Sequence, residues 1–296
     1  MAGAATIQQR LLSPWPILVA GVLAASVSGI LVRYADGVHP LAISFWRCAA
    51  GAAFLAPFAR KRFSRLRAVD LKLPAVAGVF LALHFATWIW SIGLTSIAAS
   101  VLLVSTTPVF SGIAAWFLLK ERLRSAAWVG IALALFGTGL IGGGDLSGSN
   151  LLGNALALLG GIAAAGYVLS GQVARQDLGL LEYAVVTYAV AAVALLIACL
   201  AAGADLLGYP QSSWWALLAI VVGPQLLGHT LINQVLRDID ATTVSVVVMV
   251  EPLIATWLAY VLFAEVPSAL IYPGGVAVLI GMYLVSAHRR EPAVIK

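Results

Sequence analysis

An all-α integral membrane protein, with ten transmembrane helices arranged as two inverted five-helix repeats, is the fold class this sequence predicts. Three observations carry the prediction. Hydrophobic residues make up 62% of the 296 residues and charged residues 10%, with a mean hydropathy of +1.01, outside the range of water-soluble domains. Apolar stretches of about 20 residues, each long enough to cross roughly 30 Å of hydrocarbon as a helix, recur along the chain. A Pro-to-Glu pattern stands twice, once in each half.

The first stretch, residues 16–33, follows a start without a small-residue cleavage pattern, so it is expected to remain as a helix rather than be removed as a signal peptide. The second, 40–59, carries Arg47 near its middle and ends in the basic run ARKRFSRLRAVDLK. The third, 74–95, contains ALHFATWIWSIG, where His84, Trp88 and Ser91 recur at spacings of four and three and so share one helical face. The fourth, 98–119, is interrupted by Pro108, with Ser105, Thr106 and Thr107 beside it to satisfy freed backbone groups.

The fifth and sixth, 126–142 and 151–172, are rich in Gly and Ala, as closely packed membrane helices are. Between them GGGDLSG, Gly142 to Gly148, lacks the preceding strand and the Gly-Lys-Ser/Thr end of a phosphate loop and is expected to be an external turn. The seventh, 181–202, holds Tyr188 and Cys199; Cys48 and Cys199 both fall in apolar segments, which predicts buried thiols and no disulfide or metal site. The eighth, 214–236, reads PQLLGHTLINQ at its centre and sets Gln225, His229 and Asn233 four apart, a stripe like that of the third. The ninth, 242–264, has Glu251 and Pro252 in mid-span, and the tenth, 269–287, closes the series.

Charge placement predicts the orientation. Nearly all of the 17 Lys and Arg residues fall at one set of helix ends: Arg10, Arg60, Lys61, Arg62, Arg65, Arg67, Lys72, Lys120, Arg122, Arg124, Arg175, Arg237, Arg289, Arg290 and Lys296. Only Arg33 lies at the opposite ends, and Arg47 alone lies within a span. The positive-inside rule then puts both termini in the cytoplasm of a multi-pass protein of the inner (plasma) membrane. The net charge of +5 is thereby an orientation signal that also touches anionic lipid, and points to no nucleic-acid partner.

LLVSTTPVFSGIAAWFLLKE and VVVMVEPLIATWLAYVLFAE align without a gap, Pro108 on Pro252 and Glu121 on Glu265, and the same register matches Gly130 with Gly274 and Gly137 with Gly281. The repeat units are 1–145 and 146–296. With five helices per unit, the second enters the membrane from the opposite side, the pseudo-twofold plan of many secondary transporters. Pro108 and Pro252 are the expected hinges.

These two Pro-led helices ending in Glu, each followed by a Gly-containing helix, resemble the drug/metabolite transporter superfamily and, within it, EamA-type domains, most nearly those of YddG-type aromatic amino-acid exporters. The resemblance covers essentially the whole chain. It implies ten helices in two inverted repeats, no cofactor, and export of small metabolites, notably amino acids. One departure is that Lys120 and Ala264 stand where the family usually has Gly before the helix-ending Glu.

A charge at bilayer depth costs at least about 2.5 kcal/mol and normally faces a partner or a cavity. Arg47 and Glu251 are therefore expected in the interior, as a structural ion pair or as opposite poles for a zwitterionic ligand. The stripes of the third and eighth helices are expected to line a central cavity, with Trp88 and Tyr167 as walls and His84, Ser91, His229 and Asn233 as polar groups. Trp46, Trp90 and Tyr188 are weaker candidates, and Trp15, Trp128, Trp214 and Trp215 read as interfacial anchors.

The expected function is alternating-access export of amino acids, including aromatic and apolar ones, with membrane lipid as the surrounding partner and a monomer as one possible state. Rival readings are a membrane-embedded enzyme acting on a small or lipid-like substrate, a channel, or a carrier for drugs or nucleosides. The sequence has no H-E-x-x-H, no G-x-S-x-G, no paired Asp motif and no metal-ligand spacing, and no repeated charged ring that would mark a filter. Without an ATP-binding domain, transport runs on the substrate's gradient or on an ion's, and proton coupling through Glu251 or His84 stands beside uniport.

Overall fold

The computed structural model describes residues 13–63, 66–95, 97–141, 150–263 and 269–287, and among these the regular structure is helical, with no strand. In chain order the apolar helices are α1 (Pro14–Tyr34), α2 (Pro40–Phe63), α3 (Ala68–Ile92), α4 (Ala99–Leu119), α5 (Ser125–Ile141), α6 (Leu151–Asp177), α7 (Leu180–Ala202), α8 (Gln211–Val235), α9 (Ala241–Leu262) and α10 (Ile271–Ala287). Among the described residues, eight of these are long and apolar enough to cross a membrane, while α5 and α10 have 17 residues each. The expected turn at Gly142 to Gly148, Ala264 and Glu265 of the second repeat motif, and the basic residues Arg10, Arg65, Arg289, Arg290 and Lys296 lie outside the described residues.

Helix ends run past the apolar cores where polar residues favour it. α2 continues to Phe63 through Arg60, Lys61 and Arg62, good helix formers whose charges suit a helix C-terminus. α3 starts at Ala68, ahead of the expected 74, with Asp70 accepting from the Arg67 backbone N–H at 2.8 Å.

Two spans are broken where the prolines predict. The first helical piece at α4, Ile97–Val104, begins two residues ahead of the apolar span and the helix resumes over Thr107–Ala114; α9 runs over Ala241–Val248 and resumes over Glu251–Phe263, one residue past its span. Pro108 and Pro252 thus stand at the start of the second pieces, where a missing N–H leaves nothing unsatisfied. In α4 the Thr107 hydroxyl donates to the Val104 carbonyl at 2.8 Å and to the Gly161 carbonyl at 3.1 Å, and that of Thr106 donates to Leu103 O at 2.6 Å. α8 is widened to a π-helix over Val221–His229, around Pro224, a feature the sequence reading did not single out.

α3 packs along α6, α1 along α8, α2 along α7 and α5 along α10; α4 meets α6 and α9. The larger hydrophobic core takes side chains mainly from α1, α2, α3, α6, α7 and α8, with Ala115 of α4 and Ala241, Val244 and Val247 of α9, while two smaller ones sit where α5 and α10 meet α9. α5 and α10 touch backbone to backbone: a Cβ on Gly137 would stand 2.5 Å from the Gly274 carbonyl, and one on Gly130 2.7 Å from that of Gly281. The pairs run in opposite numerical order, so the two helices are antiparallel.

Candidate functional site

The centre of the larger core is polar. Arg47 of α2 is 1% exposed, and its Nε donates to Gln225 Oε1 of α8 at 2.9 Å. Gly51, one turn on, makes room: a Cβ there would lie 3.1 Å from Gln225 Cγ and 3.4 Å from the Tyr188 ring. The Phe85 ring of α3 lies under the guanidinium, 3.8 Å from Cζ to the ring centroid, a desolvated cation–π contact of about 2 kcal/mol.

Aromatic and polar side chains from α3, α6, α7 and α8 continue outward from this pair. His84 stacks on Trp88 with ring centroids 5.7 Å apart, and its Nδ1 is 3.0 Å from the Gly160 carbonyl of α6. Gly160 is itself required by this close approach, since a Cβ would lie 3.1 Å from that of Trp88. His229 meets the Phe85 ring edge to face at 5.2 Å and Tyr167 at 6.0 Å. Tyr167 donates to Asn233 Oδ1 at 2.7 Å, Asn233 Nδ2 donates to the Tyr188 hydroxyl at 3.4 Å, and Tyr188 shares a 3.1 Å hydrogen bond with Thr230.

Of the sequence-selected residues, the structure brings Arg47, His84, Trp88, Tyr167, His229 and Asn233 together. Ser91 turns away and shares a 2.7 Å hydrogen bond with Ser100 of α4. Glu251, half-buried at the break in α9, is close enough to act on Arg47 electrostatically without forming an ion pair with it. Pro108 and Pro252 mark the breaks already described. Tyr188 is fully buried within the cluster, whereas Trp46 ties α2 to the following loop of α7 by donating to Leu206 O at 2.9 Å, and Trp90 is exposed.

Gln225 and Phe85 complete the set. Gln225 belonged to the α8 stripe, but its role as the Arg47 partner became visible only with the fold; Phe85 carried no signal, being one apolar residue in an apolar helix. Several buried donors in the cluster have no acceptor: Arg47 Nη1 and Nη2, Gln225 Nε2 and Trp88 Nε1, with His229 Nδ1 also unpartnered. A buried donor left without a partner costs about 1 to 3 kcal/mol, so such a concentration marks a place for a polar guest or water rather than a finished core.

Polar ties link helices at the two ends of the bundle. At the end rich in basic residues, Arg175 donates to Asn233 O at 3.1 Å and to Gln234 Oε1 at 3.3 Å, and Gln172 joins Glu121 at 3.1 Å to the Ala241 N–H at 2.7 Å. At the other end Ser213 donates to Asp36 O at 2.9 Å and Thr95 to Asn154 Oδ1 at 2.7 Å. A shallow cleft of about 290 Å³ lies there too, between Gly37–His39 and the loop of Gly203, Asp205 and Tyr209, apart from the Arg47 cluster.

A family model described as the EamA-like transporter family matches this chain twice, over residues 15–143 and 151–287. The pseudopaline exporter CntI of Pseudomonas aeruginosa (strain UCBPP-PA14) is 25% identical over 282 residues, covering 93% of this chain and 98% of that protein. A solved crystal structure superposes with a TM-score of 0.75 over 92% of this chain and 95% of its own, at 18% identity, a likeness of fold alone. The narrower likeness to YddG-type exporters gains no support from these matches.

Proposed function

The chain belongs to the EamA-like transporter family, and from that premise we propose that it exports small metabolites by alternating access, with the Arg47 cluster as its substrate chamber. The observation that carries the reading is the cluster itself: buried polar and aromatic side chains from α2, α3, α6, α7 and α8, with donors left unpartnered, between two tied ends. A structural core of this kind would be expected to satisfy its own polar groups.

Ten spans in two inverted repeats, 1–145 and 146–296, are part of the proposal. Matching each helix with the one five later supports it, because the contact of α3 with α6 then has α8 with α1 as its counterpart, while α2–α7, α4–α9 and α5–α10 map onto themselves. The glycine contacts behave likewise: the sequence register turns Gly130–Gly281 into Gly274–Gly137. The inner membrane with both termini cytoplasmic follows from the charge asymmetry.

Amino acids, including aromatic and apolar ones, are the best substrate reading, with Arg47 and Glu251 facing opposite poles of a zwitterion, Trp88 and Tyr167 as walls, and His84, His229 and Asn233 as polar groups; Ser91, taken up by Ser100, drops out of the set. Pro108 and Pro252 serve as hinges. The distant exporter relative supports outward transport of a small solute. Counterflow of labelled amino acids into proteoliposomes of purified protein, with quaternary ammonium compounds and nucleosides as comparison solutes, tests this; saturable counterflow confined to the comparison solutes would reassign the substrate, and none of any solute would return the enzyme reading. Repeating the assay with and without a pH gradient separates proton coupling from uniport.

A further inference from the structure

We infer that Arg47 and Gln225 form a preformed carboxylate subsite, so that the solutes taken by the central chamber carry a carboxylate. This rests on the reading of the cluster as the chamber and narrows its substrate class. Arg47 is 1% exposed and Gln225 fully buried, yet between them one hydrogen bond is made, from Arg47 Nε to Gln225 Oε1 at 2.9 Å. Both terminal nitrogens of the guanidinium and the amide nitrogen of Gln225 are left as donors without acceptors.

The orientation of the amide is not free. Arg47 Nε–H is a donor and needs an oxygen, so the Gln225 carbonyl must face it and the NH₂ group must point away. The mutual bond therefore holds two donor groups in fixed positions, one charged and one neutral. The Phe85 ring covers one flat face of the guanidinium at 3.8 Å, and the terminal edge, Nη1 and Nη2, is the part that no acceptor of the chain engages. An in-plane edge with two parallel N–H groups suits a planar acceptor that can be held by both oxygens.

Every unpartnered atom of this pair is a donor, so the missing group is an acceptor. Glu251 acts on Arg47 only through space and does not fill that edge. The local charge sets the valence: the one guanidinium can balance a single negative charge and Glu251 nearby adds no positive charge, so a phosphate monoester would leave charge uncompensated in a medium of low dielectric. A monoanionic carboxylate meets all three requirements.

The test uses full-length protein and acid–amide pairs: L-phenylalanine with L-phenylalaninamide, and 3-phenylpropionate with 3-phenylpropionamide, with apparent Kd read from ligand-dependent thermal unfolding. The acid of each pair is expected to bind about tenfold or more tightly than its amide, the scale of a charge-assisted hydrogen bond. Gln225→Glu is nearly isosteric and puts a carboxylate of the protein itself on Arg47; with the subsite so engaged, the acid preference is expected to fall below about twofold. Equal binding of acid and amide by the wild type, or no binding of either acid, overturns the subsite and leaves those donors to water; so does a tenfold preference that survives in Gln225→Glu. Counterflow judges the carrier reading separately: movement of solutes without acid preference keeps the carrier and removes the subsite, whereas acid-selective binding with no solute moved keeps the subsite and removes the carrier.

Discussion

The α5–α10 contact and the Arg47 cluster are both buried helix–helix meetings, and they are built in opposite ways. At α5–α10 the contact is glycine backbone on glycine backbone, Gly137 to Gly274 and Gly130 to Gly281, and the large side chains such as Phe136 and Tyr283 point outward. At the cluster, large polar side chains fill the centre and several N–H groups find no acceptor. The first region completes its interactions within the chain. The second does not, and unpaired donors at one place beside tight packing at another fit the proposal that one part holds the fold and the other meets a solute.

Substitutions can break that division, and the following are ordered by their expected effect on the fold. Gly137→Leu comes first, because its Cβ alone would stand 2.5 Å from the Gly274 carbonyl and 2.8 Å from the Val278 nitrogen, both backbone atoms that cannot swing aside. Loss of about 3 kcal/mol is expected, read as a fall in unfolding temperature. Gly139→Ala, whose nearest atoms are Leu102 methyls at 3.7 and 3.9 Å, is the control on the same helix and is expected to keep stability or raise it by up to about 1 kcal/mol. Equal tolerance of the two would show that α5–α10 is not what braces the bundle.

Arg47→Met with Gln225→Leu inverts the outcome. Removing both partners leaves no orphaned half, and an apolar replacement of a buried charge is often neutral or stabilising, so unfolding at the wild-type temperature or up to about 1 kcal/mol more stable is expected. Counterflow should fall by about thirtyfold or more, the factor that corresponds to about 2 kcal/mol. A stable double variant that still transports normally would make the cluster a packing device. Tyr167→Phe is smaller: it deletes the 2.7 Å bond to Asn233 Oδ1 and leaves that acceptor buried, for a loss of about 1 kcal/mol in thermal unfolding.

Most of the helical plan was legible because the bilayer imposes it: spans follow from apolar length, and breaks in α4 and α9 from Pro108 and Pro252. The Gly130 and Gly137 matches were visible as register, but that each would face the other's counterpart across α5–α10 needed the fold. The partner of Arg47 was sought by charge, in Glu251, whereas the structure supplies Gln225, whose amide acceptor is no signal until α2 and α8 are adjacent. Ser91 shared a helical face with His84 and Trp88 by spacing, yet α4 crosses near its end of α3 and takes it up through Ser100. Pro224 stood in plain view, but whether a proline kinks, breaks or widens a membrane helix depends on which neighbours satisfy the freed groups.

The smallest effect, at the two broken helices, bears most directly on Glu251. The register that sets Pro108 on Pro252 sets Thr107 on Glu251 and Val104 on Val248. In α4, Thr107 covers the Val104 carbonyl that Pro108 cannot reach, at 2.8 Å; in α9 the matching position carries a carboxylate, which has no hydrogen to donate when ionised. Glu251→Thr therefore copies the α4 cap into α9 and is expected to raise stability by about 0.5 kcal/mol, the low end of one net hydrogen bond. The same change deletes the pole proposed for a substrate amine. Binding of L-phenylalanine should then drop to the level of 3-phenylpropionate, which has no amine, while 3-phenylpropionate itself is unaffected. If the two ligands keep their wild-type ratio in a variant whose stability has risen, Glu251 shapes the break in α9 and does not meet the solute.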